Sequence, residues 1–150
     1  MNPISEAILL AGGLGTRLRS VCPDIPKPLV PIAGKPFLEL LMEGLVEAGI
    51  RRLILSIGYK RELFYEVFHN WGERAEVVFA PEEKLLGTGG ALKNALSLVR
   101  GENFLALNGD TFAEINLQKL IQFHYDENAD ITLAALSLEN QGRYGSLKLE

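Results

Sequence analysis

Short continuous apolar runs alternate with amphipathic stretches along most of this chain. Ala7-Ile8-Leu9-Leu10-Ala11 is apolar throughout and ends at Gly12-Gly13, as suits a strand buried on both faces of a parallel sheet. From Pro36 to Gly49 the pattern turns helical. Phe37, Leu40, Leu41, Leu45 and Val46 form a stripe, Pro36 suits the first turn and Gly49 the stop. Leu53 to Ile57 predicts a second strand, Arg61 to Trp71 a second helix and Glu76 to Ala80 a third strand closed by Pro81. Thr88 to Val99 predicts a third helix with Thr88 as N-cap. Phe104 to Leu107 predicts a fourth strand and Leu117 to Asp126 a fourth helix. Ile131 to Leu138 and Ser146 to Leu149 alternate like a fifth and a sixth strand.

Strand-helix alternation of this kind predicts a Rossmann-like α/β/α sandwich with a mostly parallel sheet. Ligands of such sheets bind outside the carboxyl ends of the strands, so the loops after the first, third and fourth strands are the ones to inspect. The last segment reads as a strand in progress with no element to cover it. That predicts a C-terminally truncated chain, with residues 1–150 the N-terminal part of a single domain.

Composition narrows the function classes. With 47% hydrophobic and 23% charged residues, neither disorder nor a coiled coil fits. No apolar run approaches the roughly 20 residues that span a bilayer. The start of the chain, Met1 to Glu6, lacks the basic region of a secretory signal. A single cysteine, Cys22, excludes an internal disulfide framework and a multi-cysteine metal site, in keeping with a reduced cytoplasm. A net charge of -4 without a basic run argues against nucleic acid as partner. Glycine is enriched, at 15 residues against an average of about 7%, and its placement is informative.

Ala11-Gly12-Gly13-Leu14-Gly15-Thr16-Arg17-Leu18 follows the first strand directly. Glycines there let the backbone approach a bulky ligand, and successive N–H groups can cradle an anion. Position 18 is Leu, so the dinucleotide pattern G-x-G-x-x-G fails, and Gly15-Thr16-Arg17 does not supply Walker A. A tight turn with no ligand is the bland reading. The next stretch holds Pro23, Pro26, Pro28 and Pro31, and predicts that Lys27 lies in a stiff, extended segment. Arg17 and Lys27 could converge on phosphate oxygens, one as a planar fork and one as a point charge; as isolated surface charges they would be solvated.

Asn108-Gly109-Asp110-Thr111 follows the fourth strand, where a carboxylate could hold Mg²⁺ together with substrate phosphates, or simply form a turn. In Glu82-Glu83-Lys84-Leu85-Leu86-Gly87-Thr88-Gly89-Gly90-Ala91, glycines precede a helix N-terminus whose free N–H groups can meet a ligand. Glu82 alone would more often be a solvated carboxylate. His69 and His124 fall in predicted helices and read as structural or surface residues.

Taken in order, Leu10 to Leu18, Pro26-Lys27-Pro28, Leu86-Gly87-Thr88-Gly89-Gly90-Ala91 and Asn108-Gly109-Asp110 resemble the sugar-1-phosphate nucleotidyltransferases. Asn108 to Phe112 and Arg143-Tyr144-Gly145 look most like the D-glycero-D-manno-heptose 1-phosphate guanylyltransferase branch. The resemblance implies a role for each matching position. Ala11, Gly12, Gly13, Gly15 and Thr16 would set backbone against the nucleotide, and Arg17 would neutralise departing pyrophosphate. Lys27 would contact phosphate at the reacting centre, and Asp110 would hold Mg²⁺. Glu82, Gly87 and Thr88 would contact the nucleotide around its base, and Asn108, Tyr144 and Gly145 the sugar. Leu85 departs from the family, where proline is frequent, and the family's second metal-binding aspartate lies beyond the last residue here.

The implied reaction joins a sugar 1-phosphate to the α-phosphorus of a nucleoside triphosphate, GTP rather than UTP or dTTP, and releases pyrophosphate. The alternatives are another base or sugar within the family, a noncatalytic nucleotide-binding module, and a Rossmann oxidoreductase, against which the glycine spacing argues. Homo-oligomerisation stays open.

Overall fold

The computed structural model of the chain describes residues 4–15 and 24–135. Contacts divide it into two compact units, Met1–Ala113 and Glu114–Glu150. The first holds strand β1 (Glu6–Leu10), a 3₁₀ turn (Lys27–Leu29), the two-residue strands β2 (Pro31–Ile32) and β3 (Lys35–Pro36), helix α1 (Phe37–Glu47) and strand β4 (Arg52–Ile57). Helix α2 (Arg61–Phe68), a second 3₁₀ turn (Trp71–Glu73), strand β5 (Glu76–Pro81), helix α3 (Gly87–Leu96) and strand β6 (Leu105–Asn108) complete it. The second unit contributes helix α4 (Leu117–Asp126), which Asn116 caps by accepting a hydrogen bond from Lys119 N at 2.9 Å.

β5, β4, β1 and β6 form one sheet in that order, and every pairing is parallel. Side chains alternate across a strand, so the continuous apolar runs of β1 and β4 are the mark of a sheet covered on both faces. Ile8, Ile54 and Ala80 pack with Ala95 of α3 in one core cluster. Leu38, Met42 and Leu45 of α1 and Phe64 and Phe68 of α2 are also buried. Each such side chain contributes about 1.5–3 kcal/mol by leaving water.

The expected mostly parallel α/β fold is therefore the observed one. Its elements match the sequence pattern to within a few residues. Three local expectations change. Lys27 does not sit in extended backbone: Leu29 N donates to Pro26 O at 2.8 Å and Val30 N to Lys27 O at 3.2 Å, closing a 3₁₀ turn. The fixed φ of proline fits a turn as well as an extended segment. Thr88 is not the N-cap of α3. Leu86 occupies that position and Gly87, at φ +69°, already opens the helix. Ile131 to Ala135, the described part of the expected fifth strand, is irregular, with Ile131 and Leu133 exposed. Alternation shows that a segment could pair; it does not supply the neighbouring backbone. Residues 136–138 of that strand and all of the sixth lie outside the described residues.

The β2–β3 hairpin was not anticipated. Its turn, Ala33-Gly34, has both residues at positive φ, the geometry that suits a two-residue hairpin.

Candidate active site

β1 has β4 on one side and β6 on the other. The strand order therefore reverses between β1 and β6, and α/β sheets bind ligands at such a point. A pocket of about 290 Å³ opens there. Ala11, Gly12, Gly13 and Gly15 line it from the β1 loop, Lys27 from the 3₁₀ turn, Glu82, Gly87 and Thr88 from the β5–α3 connection, and Asn108 and Asp110 from the end of β6. These are the residues singled out in the sequence, brought together from four separate segments. Thr16, Arg17, Tyr144 and Gly145 lie outside the described residues.

The parallel ladder between β1 and β6 continues one bond past the end of β6. Gly109 N donates to Leu10 O at 2.8 Å. A Cβ at 109 would stand 3.1 Å from Leu10 O, 3.2 Å from Ala11 Cβ and 3.3 Å from Leu38 Cδ1. Glycine is needed less for turning than for this approach, which delivers Asp110 beside the β1 loop. Gly15 plays a related part: at φ +56°, its Cβ position lies 3.2 Å from Lys27 Cβ.

Lys27 Nζ donates to Asp110 Oδ2 at 2.9 Å, while Thr111 Oγ1 donates to Oδ1 at 3.1 Å. The two ion-pair side chains are 42% and 37% exposed. A pair that open to water holds the fold by no more than about 0–1 kcal/mol. Both groups can therefore take new partners at little cost: the ammonium an anion, the carboxylate a cation. Among the described residues no cluster of three His, Cys, Asp or Glu side chains could hold a metal by itself. One half-exposed carboxylate beside a lysine nonetheless suits a divalent cation held mostly by substrate phosphates.

Glu82 differs from a solvated surface carboxylate, being only 9% exposed. Its backbone N–H extends β5 by donating to Ile57 O at 2.8 Å. Its Oε1 accepts from Ser56 Oγ at 3.1 Å and its Oε2 from Leu86 N at 3.2 Å. Gly12 lies directly over it, and a Cβ there would collide with Oε1. Next to it, Glu83 Oε1 accepts from Arg61 Nη1 at 2.9 Å, at the first residue of α2.

Four further residues line the pocket to which the sequence reading gave no role of their own. Leu10, Pro28 and Ala91 line the pocket, as does Leu85, which is 60% exposed. Their apolar character gave no signal of a ligand. Ser56, beneath the pocket, did carry one: a hydroxyl among the apolar residues Leu53 to Ile57. Neither His69 nor His124 lines the pocket. His69 Nδ1 lies 2.6 Å from Glu66 O and His124 Nδ1 lies 2.9 Å from Thr132 Oγ1.

A parallel sheet with a glycine loop, a lysine and a strand-end aspartate at its switch point agrees with the comparison to known families. Residues 6–150 match the nucleotidyl transferase family, and the chain belongs to it. It is 42% identical over 142 residues to D-glycero-α-D-manno-heptose 1-phosphate guanylyltransferase of Aneurinibacillus thermoaerophilus, covering 95% of this chain and 62% of that protein. The protein of the same description from Campylobacter jejuni is also 42% identical, over 97% of this chain and 63% of its own length. A crystal structure of HddC from Yersinia pseudotuberculosis complexed with GMP-PN superposes with a TM-score of 0.73 at 45% identity, covering 82% of this chain and 55% of that one. The resemblance drawn from the motifs is thus borne out. The chain spans about three fifths of the length of the two guanylyltransferases.

Proposed function

We propose that the protein transfers GMP from GTP to a manno-heptose 1-phosphate, forming a GDP-sugar and releasing pyrophosphate. The observation that carries this reading is the convergence of the glycine loop, the Lys27–Asp110 pair and the Glu82–Leu86 loop on one pocket.

A phosphate oxygen of the sugar 1-phosphate would attack the α-phosphorus while pyrophosphate departs. Phosphate monoesters have a second pKa near 6, so the nucleophile is already ionised at neutral pH. No general base is required. The protein's task is alignment and charge neutralisation, as in other phosphoryl transfers. Lys27 would leave Asp110 for a phosphate oxygen and stabilise charge as it develops. Backbone N–H groups of Gly12, Gly13 and Gly15 would hold the triphosphate, and Arg17 the departing pyrophosphate. Asp110 would hold Mg²⁺ with the substrate phosphates, and the ion would supply further neutralisation there. Asn108, Tyr144 and Gly145 would meet the sugar. The cytoplasm is the setting in which these substrates would be met. Among the described residues no helix is long and apolar enough to cross a membrane.

Glu82 supports the choice of guanine. A carboxylate accepts at about four lone-pair sites. Ser56 and Leu86 engage one site on each oxygen, leaving acceptor capacity for the adjacent N1–H and N2–H₂ donors of guanine. Uracil and thymine present one N–H between two carbonyl oxygens, so a carboxylate would face an acceptor. An unpaired buried polar group costs about 1–3 kcal/mol, enough to order the nucleotides by affinity.

Competition binding of GTP, UTP and dTTP, with pyrophosphate release measured on manno-heptose 1-phosphate, tests this reading. GTP should bind best and support turnover. A preference for UTP or dTTP would overturn the guanine assignment, and nucleotide binding without pyrophosphate release would favour a noncatalytic module.

A further inference from the structure

We propose that Ser56 is a positioning residue for nucleotide recognition, acting through Glu82. Its side chain is fully buried near the end of β4, where it stands in register with Leu10 of β1 and Ala80 of β5. Side-chain alternation puts it on the same face of β4 as Ile54, which packs towards α3. A hydroxyl at such a place needs a partner, and Oγ finds it in Glu82 Oε1 at 3.1 Å.

The bond does more than satisfy the serine. Glu82 is held at three points: its N–H by Ile57 O, one carboxylate oxygen by Ser56, and the other by Leu86 N. Gly12 closes over the same carboxylate. Ser56 therefore fixes the rotamer through which β5 fastens the loop leading into α3. Without its donor, Glu82 Oε1 remains buried with one hydrogen bond fewer, and the carboxylate gains a reason to swing towards water. Leu86 N would then lose its acceptor, and the Leu85–Thr88 wall of the pocket its anchor. A serine outside every glycine and charged motif thus sets how well the pocket holds a nucleotide. Only where base preference is concerned does this rest on the guanine reading above.

Ser56→Ala changes little volume, and its effect is read in the ligand-free protein and by nucleotide titration. Amide hydrogen exchange at Leu86 should accelerate about tenfold, the factor that about 1.4 kcal/mol of local interaction represents, while β1 and β4 amides stay protected. GTP affinity should fall by a similar factor and GTP-over-UTP preference should narrow. In a Glu82→Ala background, Ser56→Ala should add nothing to either effect, because the two residues act as one unit. If Ser56→Ala merely lowers the melting temperature, with wild-type Leu86 exchange and nucleotide affinities, the proposal is overturned. If the wild-type protein shows no preference for GTP, the guanine reading fails, and Leu86 exchange and its dependence on Glu82 alone decide the role of Ser56.

Discussion

Lys27 and Asp110 neutralise one another while both remain well exposed, so their pairing matters less for the fold than for what either can release. Lys27→Ala should leave the melting temperature almost unchanged, since an exposed pair is worth about 0–1 kcal/mol. Turnover should fall by a factor on the order of 10²–10³, the loss seen when one preorganised charge-stabilising donor is removed, mostly in kcat. Steady-state pyrophosphate release alongside thermal melts separates the two effects; lost stability with normal turnover of the folded fraction would make Lys27 structural. Gly12 presents the opposite case. Its missing Cβ makes room for the Glu82 carboxylate, so Gly12→Ala should cost about 1–3 kcal/mol as an overpacked site and displace the acceptor that holds Leu86. Calorimetric melting and nucleotide titration should both register it. Unchanged values in both would mean that the loop shifts freely.

At the scale of elements, the Pro26–Pro36 region shows how far local rules reach. Its prolines marked a stiff segment, and the segment is ordered by short-range geometry: a 3₁₀ turn, then a hairpin of two-residue strands. Phe37 N donates to Val30 O at 3.0 Å, tying the hairpin to the start of α1. Glu43 of α1 accepts from Lys35 Nζ at 2.7 Å and from Arg74 Nη1 at 2.8 Å. These bonds hold the Glu43 carboxyl below its ordinary pKa. Ala33 occupies the left-handed region at φ 50° beside Gly34 at φ 86°, a place where asparagine is favoured over alanine. Ala33→Asn should therefore stabilise the protein by about 0.5–1 kcal/mol. A denaturant titration checks it, and a lower midpoint would show that the turn needs the alanine methyl for packing.

Across the whole sheet the two ends have different work. The carboxyl ends carry the pocket; the amino ends are clamped by charge. Glu6 at the start of β1 accepts from Arg100 N at 2.9 Å, Gly101 N at 2.6 Å and Arg52 Nη1 at 3.2 Å. Arg52 also donates to Glu76 and to Leu98 O, and Arg100 makes a two-point contact with Glu76. The starts of β1, β4 and β5 are thus tied to one another and to the α3–β6 connection. Burial works against the Glu6 charge, but the Gly101 and Arg100 amides and the Arg52 guanidinium outweigh it and hold its pKa below the ordinary value of 4.5. A depressed folded-state pKa means that the stabilisation is complete above the unfolded value and is lost as pH falls from there through the folded one. Melting temperature should consequently drop below about pH 4.5, and Glu6→Gln should be less stable at pH 7 with a flatter acid limb. An acid limb as steep as wild type would exclude Glu6 as its source. This clamp was not legible in the sequence, because Glu6, Arg52, Glu76 and Arg100 are far apart along it and none belongs to a motif. The order of strands and helices was legible, since apolar runs and helical stripes are set by which faces each element must bury. So were the segments that line the pocket, because glycine, proline and strand-end carboxylates have conformations and positions that few other residues can fill. The tertiary structure alone decided that Lys27 meets Asp110, that Glu82 is buried beneath Gly12, and that Ser56 supports it. Such pairings depend on distance in space between strands that periodicity treats separately, and a side chain's partners are chosen only once the sheet has brought those strands together.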